Sequence, residues 1–233
     1  MISSKREYII KTLKNNIHII PKSNKYSKVI FFMHGLGDSA DSFIDVFTQY
    51  DIVPQDFKIV LLNAEIKPVS INFGMEMPSW YDILALNESD PKKSVSQPDV
   101  IYSKNRILSF VNEEIKELNN DYSKVYIGGF SQGGCMALYT GLSVENKNQN
   151  FGGLLCLSGL LFPFTPIAKN ILNKDMPIFI GHGLSDNVIP YELANKSYEL
   201  LKSFDFTNLK IKNYDVGHSL NEKEIMDIKD FLC

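Results

Sequence analysis

The sequence predicts an α/β fold: a mostly parallel central sheet with helices on both faces and an antiparallel hairpin at one edge. Three observations predict it. Apolar runs of strand length recur along the chain, and segments of helical period fill the spaces between them. No repeat, low-complexity tract or linker interrupts that alternation, so residues 1–233 read as a single domain, a usual size for this class.

The parallel strands are expected at Lys28–Met33 (KVIFFM), Phe57–Asn63 (FKIVLLN) and Lys124–Phe130 (KVYIGGF). Three more follow at Gly153–Leu157, Pro177–Ile180 and Leu209–Tyr214. Ahead of them, Tyr8–Leu13 and Ile17–Ile20 flank Lys14-Asn15-Asn16 and read as the edge hairpin. Ile101, Leu108, Val111, Ile115 and Leu118 form an apolar stripe with charges opposite, the pattern of a surface helix. Further helices are expected over 132–144, 191–203 and 221–232. The stretch 66–98 has four prolines and little periodicity, and reads as a long loop carrying Phe73, Met75, Met77 and the sole tryptophan, Trp80. A loop of that length is either disordered or functional.

Composition narrows the function. A net charge of −3 argues against nucleic-acid binding, which usually needs a basic face. The N-terminus lacks the apolar core of about 7–15 residues that a signal peptide needs. The apolar stretch 151–162 is too short to span a bilayer and contains three glycines. Ile2 stands where myristoylation needs glycine, and Cys233 is last instead of fourth from the end, as prenylation would need. Three cysteines make neither a paired framework nor a metal-binding spacing, so a reduced, cytoplasmic protein without metal is expected.

The chemistry concentrates at GGFSQGGCMALYT, residues 128–140. It contains Gly129-Phe130-Ser131-Gln132-Gly133, a G-x-S-x-G match that is weak alone, because glycine and serine are common residues. Its context sharpens it. A strand precedes the serine and a plausible helix follows, the setting in which a sharp turn projects a nucleophilic hydroxyl above the sheet. A phosphate-binding loop is the competing reading, but Cys135 stands where that loop needs lysine. Cys135 itself reads as a small buried residue.

A serine hydroxyl needs a base, and the base needs a group to hold it. In this setting the chain order is serine, acid, histidine. His218, in YDVGHSL between the last strand and last helix, satisfies the order as base. His182, in GHGLSD, precedes the acid candidate and is out of order, while His18 in the hairpin reads as structural. Asp186 is favoured as the acid. Asp215 is the alternative, though three residues from His218 it would struggle to reach the far edge of the imidazole. A third possibility is that Asp186 only ends its strand through local backbone bonds.

MHGLGDSADSF (33–43) follows a strand and admits two readings. Gly35-Leu36-Gly37-Asp38-Ser39-Ala40 matches the dinucleotide-binding fingerprint, which would make the protein an oxidoreductase. That fingerprint needs an acidic residue at the end of the next strand, and neither Asp56 nor Glu65 fits both position and distance. The other reading makes this the loop that supplies one N–H of an oxyanion hole, from Leu36, with the second from Gln132 and His34 as support. It is preferred because it accounts for serine, acid and histidine together.

HGLGD (34–38), PSWYD (78–82), GFSQGG (129–134), GHGLSDNVIP (181–190) and GHS (217–219), in order and with ordinary spacing, resemble the acyl-protein thioesterase/lysophospholipase group of α/β-hydrolases. The resemblance runs from about residue 28 to the end. It implies an α/β-hydrolase fold, a Ser131/Asp186/His218 triad, an oxyanion hole at Leu36 and Gln132, and an acyl channel near Trp80. Phe73, Met75, Met77 and Trp80 are candidates for an adaptable apolar wall of that channel, the alternative being that they pack over the sheet as ordinary core. No cofactor is implied. The expected substrates are acylated proteins, with lysophospholipids or small esters as the alternative. Lipid-anchored members carry a cysteine near the N-terminus, and none precedes Cys135, so no stable membrane anchor is expected.

Overall fold

The computed structural model describes residues 6–85, 91–144, 146, 149–167 and 173–233. An eight-stranded sheet carries the chain. In chain order its strands are β1 (Tyr8–Leu13), β2 (Asn16–Pro21), β3 (Lys28–Met33), β4 (Phe57–Leu62), then, after a separate pair, β7 (Val125–Phe130), β8 (Gly153–Leu157), β9 (Ile178–Gly183) and β10 (Leu209–Tyr214). Their spatial order is β1-β2-β4-β3-β7-β8-β9-β10. The six strands from β4 to β10 run parallel, and β2 and β1 join antiparallel at one edge. This is the expected sheet. Lys14 and Asn15 both adopt positive φ, so the hairpin turn is two residues long and Asn16 already belongs to β2.

Helices cover both faces because the inner strands are apolar on both sides. β4 is buried along its whole length. On one face, α2 (Gln97–Glu114), α3 (Gln132–Leu142) and α4 (Tyr191–Lys202) pack Val100, Val111, Leu138 and Leu201 against Val29, Phe31 and Ile180. On the other, α1 (Ile44–Gln49) and α5 (Glu222–Leu232) pack Phe47, Ile225 and Ile228 against Ile30, Phe32 and Phe179. Caps set the helix starts. The Ser96 hydroxyl accepts from Asp99 N–H to begin α2, and the Asn221 side chain accepts from Glu224 N–H to begin α5.

The stretch 66–98 is not a plain loop. β5 (Ile66–Val69) and β6 (Met75–Pro78) pair antiparallel as a small second sheet, and α2 begins within its last residues. Four-residue strands are too short to show alternation, and Pro68 and Pro78 disguise them further. Residues 86–90 lie outside the described part. Among the described residues no helix is long and apolar enough to cross a membrane.

Candidate active site

Ser131 lies between the end of β7 and the start of α3 with φ 55° and ψ −118°. A non-glycine residue in that region is strained, at a cost of about 1–3 kcal/mol, and persists only when its surroundings hold it. Here they do. Ser131 N–H donates to the Leu157 carbonyl at 2.8 Å, and the flanking chain is compressed against its neighbours. A Cβ on Gly133 would fall 2.2 Å from the Met33 carbonyl oxygen, so glycine is the residue that fits. The loop after β3 is therefore pressed onto the serine turn. It is followed by a 3₁₀ turn and a six-residue helix, and it lies close enough to the serine turn that a Cβ on Gly35 would fall 3.3 Å from Ser131 Cβ.

His218 is brought in from the loop between β10 and α5. Its Nε2 lies 2.8 Å from Ser131 Oγ, and its Nδ1 lies 2.7 Å from Asp186 Oδ2. The Phe130 ring, 4.9 Å away centroid to centroid, packs beside the imidazole. Asp186 follows β9 and divides its carboxylate between two tasks. Oδ1 accepts the N–H groups of Val188 and Ile189 at 2.9 and 2.8 Å, and Oδ2 accepts from His218. Local backbone bonding and reaching the histidine, alternatives in the sequence, coexist here on different oxygens. Asp215 is exposed to solvent.

The N–H groups of Leu36 and Gln132 make no hydrogen bond among the described residues. For Gln132 this follows from its place in the first turn of α3, where donors have no intrahelical partner. His34 is buried behind the same loop. Its Nδ1–H donates to Gly35 O at 2.6 Å and its Nε2 accepts from Ala64 N–H at 3.0 Å. Burial lowers its pKa, opposed by the bond to Gly35, which suits the neutral tautomer these two bonds require.

The Gln132 side chain has a part that its sequence position did not reveal. Oε1 accepts Trp80 N–H at 2.8 Å, and Nε2 donates to the Tyr81 carbonyl at 2.7 Å. A buried glutamine after the serine, with four hydrogen bonds to satisfy, was the signal that could have exposed it. Trp80 is itself almost wholly buried, and its indole N–H donates to the His34 carbonyl at 2.9 Å. It braces the loop from inside. Met75 is exposed, and Met77 is half-buried with its sulfur 3.4 Å from the Asn72 amide nitrogen. Phe73, at the tip of the β5–β6 turn, is fully exposed. Among the described residues no group of three or more His, Cys, Asp or Glu stands close enough to hold a metal ion.

The model of a family described as phospholipase/carboxylesterase matches residues 14–233. An acyl-protein thioesterase 1 of Candida albicans is 34% identical over 227 residues, covering 91% of this chain and 94% of that protein. Its counterpart in Emericella nidulans is 30% identical over 224 residues, 92% of each. Of solved structures, Arabidopsis thaliana SOBER1 superposes with a TM-score of 0.76 at 27% identity, over 88% of this chain and 97% of that one. Zea mays acyl-protein thioesterase 2 reaches the same score at 23% identity, over 93% and 96%, a likeness of fold. The chain thus belongs to the phospholipase/carboxylesterase family of α/β-hydrolases and is a carboxylic ester hydrolase.

Proposed function

We propose that Ser131, His218 and Asp186 form a nucleophile–base–acid triad that removes acyl groups from thioester-linked proteins. The observation that carries the reading is the unbroken line from Ser131 Oγ through His218 to Asp186 Oδ2, with steps of 2.8 and 2.7 Å. His218 Nε2 takes the Ser131 proton as the oxygen attacks the acyl carbonyl. The oxyanion accepts from the Leu36 and Gln132 N–H groups, which have no other duty. Collapse breaks the carbon–sulfur bond. A thiol with a pKa of about 8.5 departs with little help, and His218 supplies a proton where one is needed. The same base then activates a water that hydrolyses the acyl-serine and restores Ser131.

Protein thioesters are favoured as substrate because the Candida and Emericella relatives are named for that activity. Exposed apolar side chains support a long acyl group. Leu184 and Val188 flank Asp186 and face solvent, and Met75 does so on β6. Met75 and Met77 are assigned to the acyl wall, with Trp80 supporting it from behind. Lysophospholipids and small esters are the second reading, favoured by the family's own description. The test is a panel of acyl thioesters and oxyesters of graded length on wild type and Ser131→Ala. Wild type should label with a fluorophosphonate, prefer long-chain thioesters and lose both properties in Ser131→Ala. Labelling that persists in the variant removes Ser131 as nucleophile, and a preference for short oxyesters selects the second reading.

A further inference from the structure

His182 lies on β9, four residues before Asp186, and is completely buried. Its Nε2 is 2.9 Å from the Ile189 carbonyl oxygen and 3.5 Å from Asp186 Oδ2. Its Nδ1 is 2.8 Å from the hydroxyl of Tyr198, a buried residue of α4 whose oxygen also reaches the Gly159 carbonyl. Burial lowers the His182 pKa, against the opposing pull of the Ile189 bond and the Asp186 charge, so the ring is neutral. A neutral imidazole has one N–H. A carbonyl can only accept, so that N–H belongs on Nε2, and the Tyr198 hydroxyl has one proton to share between His182 Nδ1 and the Gly159 carbonyl.

Two consequences follow from this tautomer. The N–H edge of His182 lies alongside Asp186 Oδ2, the oxygen that accepts from His218. Ile189 is also held at both ends, its N–H by Asp186 Oδ1 at 2.8 Å and its carbonyl by His182. The acid turn is thereby fastened to β9 and α4.

We propose that His182, braced by Tyr198, is a positioning residue: it fastens the turn 186–189 through the Ile189 carbonyl, so that Asp186 presents Oδ2 to His218. The inference rests on the triad reading. A merely structural histidine would affect stability alone, whereas a positioning residue sets the rate of a folded enzyme. Misplacing a catalytic group by about 1 Å can cost on the order of 100-fold.

The experiment compares His182→Leu, His182→Gln and Tyr198→Phe in the full chain, with active sites counted by fluorophosphonate titration so that rates are per competent site. His182→Leu should lower kcat and kcat/KM together by about 100-fold, the pattern of an interaction that matters in the transition state. His182→Gln, whose amide can still donate to Ile189, should recover at least about tenfold of that loss. Tyr198→Phe should lie between it and wild type, because the imidazole keeps its N–H but loses its brace. The inference is overturned if kcat per titrated site stays within about threefold of wild type in His182→Leu, whatever happens to Tm. Where His182→Leu does not fold, unchanged kcat in both other variants overturns it equally. Failure of wild-type Ser131 to label would instead remove the triad reading beneath it.

Discussion

Gln132 Oε1 accepts the backbone N–H of Trp80 at 2.8 Å, tying the residue after the candidate nucleophile to a segment 52 positions earlier in the chain. The same side chain donates to Tyr81 O, so one amide joins the serine turn to the PSWYD segment. Its backbone N–H makes no hydrogen bond among the described residues and is the donor proposed for the oxyanion.

Replacing Gln132 by Ala keeps that backbone donor and removes the tie. The buried Trp80 N–H loses its acceptor, at about 1–3 kcal/mol, while the Tyr81 carbonyl keeps the Ser79 hydroxyl at 2.7 Å. Urea denaturation should show a loss of about 1–3 kcal/mol, with lower kcat as the loop of Trp80 shifts. A loss under about 0.5 kcal/mol would mean that the tie contributes little.

Strain at Ser131 predicts opposite signs for stability and activity. Glycine accepts φ 55° and ψ −118° without the steric cost that serine or alanine carries. Ser131→Gly should therefore exceed Ser131→Ala in stability by about 1 kcal/mol, seen as a Tm about 2–4 °C higher. Both should be inactive. Equal Tm values would show that the serine conformation is unstrained.

Gly133→Ala and Gly74→Ala separate close packing from backbone conformation. At Gly133 a Cβ would meet backbone oxygen at 2.2 Å, and backbone cannot give way cheaply. At Gly74 nothing lies within 4 Å, but φ is +77°. Gly74→Ala should cost about 1 kcal/mol, the price of the left-handed conformation. Gly133→Ala should cost more than about 3 kcal/mol or prevent folding. Chemical denaturation ranks them, and a reversed order would contradict the described approach of β3 to α3.

Glu224, on α5, is fully buried, and neither carboxylate oxygen has a hydrogen-bond partner among the described residues. Burial, with a smaller push from Asp227, raises its pKa from 4.5 to about 8. The folded state then binds this proton more tightly than the unfolded state does. Its contribution is fully present below about pH 4.5 and is lost as pH rises through about 8. Glu224→Gln should thus gain on wild type steadily across that window, by at most about 4 kcal/mol at pH 8. Denaturation midpoints at pH 4, 6 and 8 test this, and a difference independent of pH would refute it.

Local pattern determined most of the fold. KVIFFM, FKIVLLN and KVYIGGF read as strands because unbroken apolar runs of that length suit only a sheet covered on both faces, and the structure pairs them in parallel. An apolar stripe likewise marked α2, since a helix face is set within a few residues, although Ile101 of that stripe is exposed and Val100 beside it is buried. The β5–β6 pair escaped because its strands are too short to show a period. Motif and chain order singled out Ser131, Asp186 and His218, and tertiary structure brings them within hydrogen-bond distance. Only tertiary structure decided where buried polar groups find partners. Gln132 on Trp80, the Trp80 indole on His34 and His182 between Tyr198 and Ile189 are bonds between segments that share no periodic signal. Burial makes each of these bonds obligatory, and folding alone determines which atoms are near enough to make it.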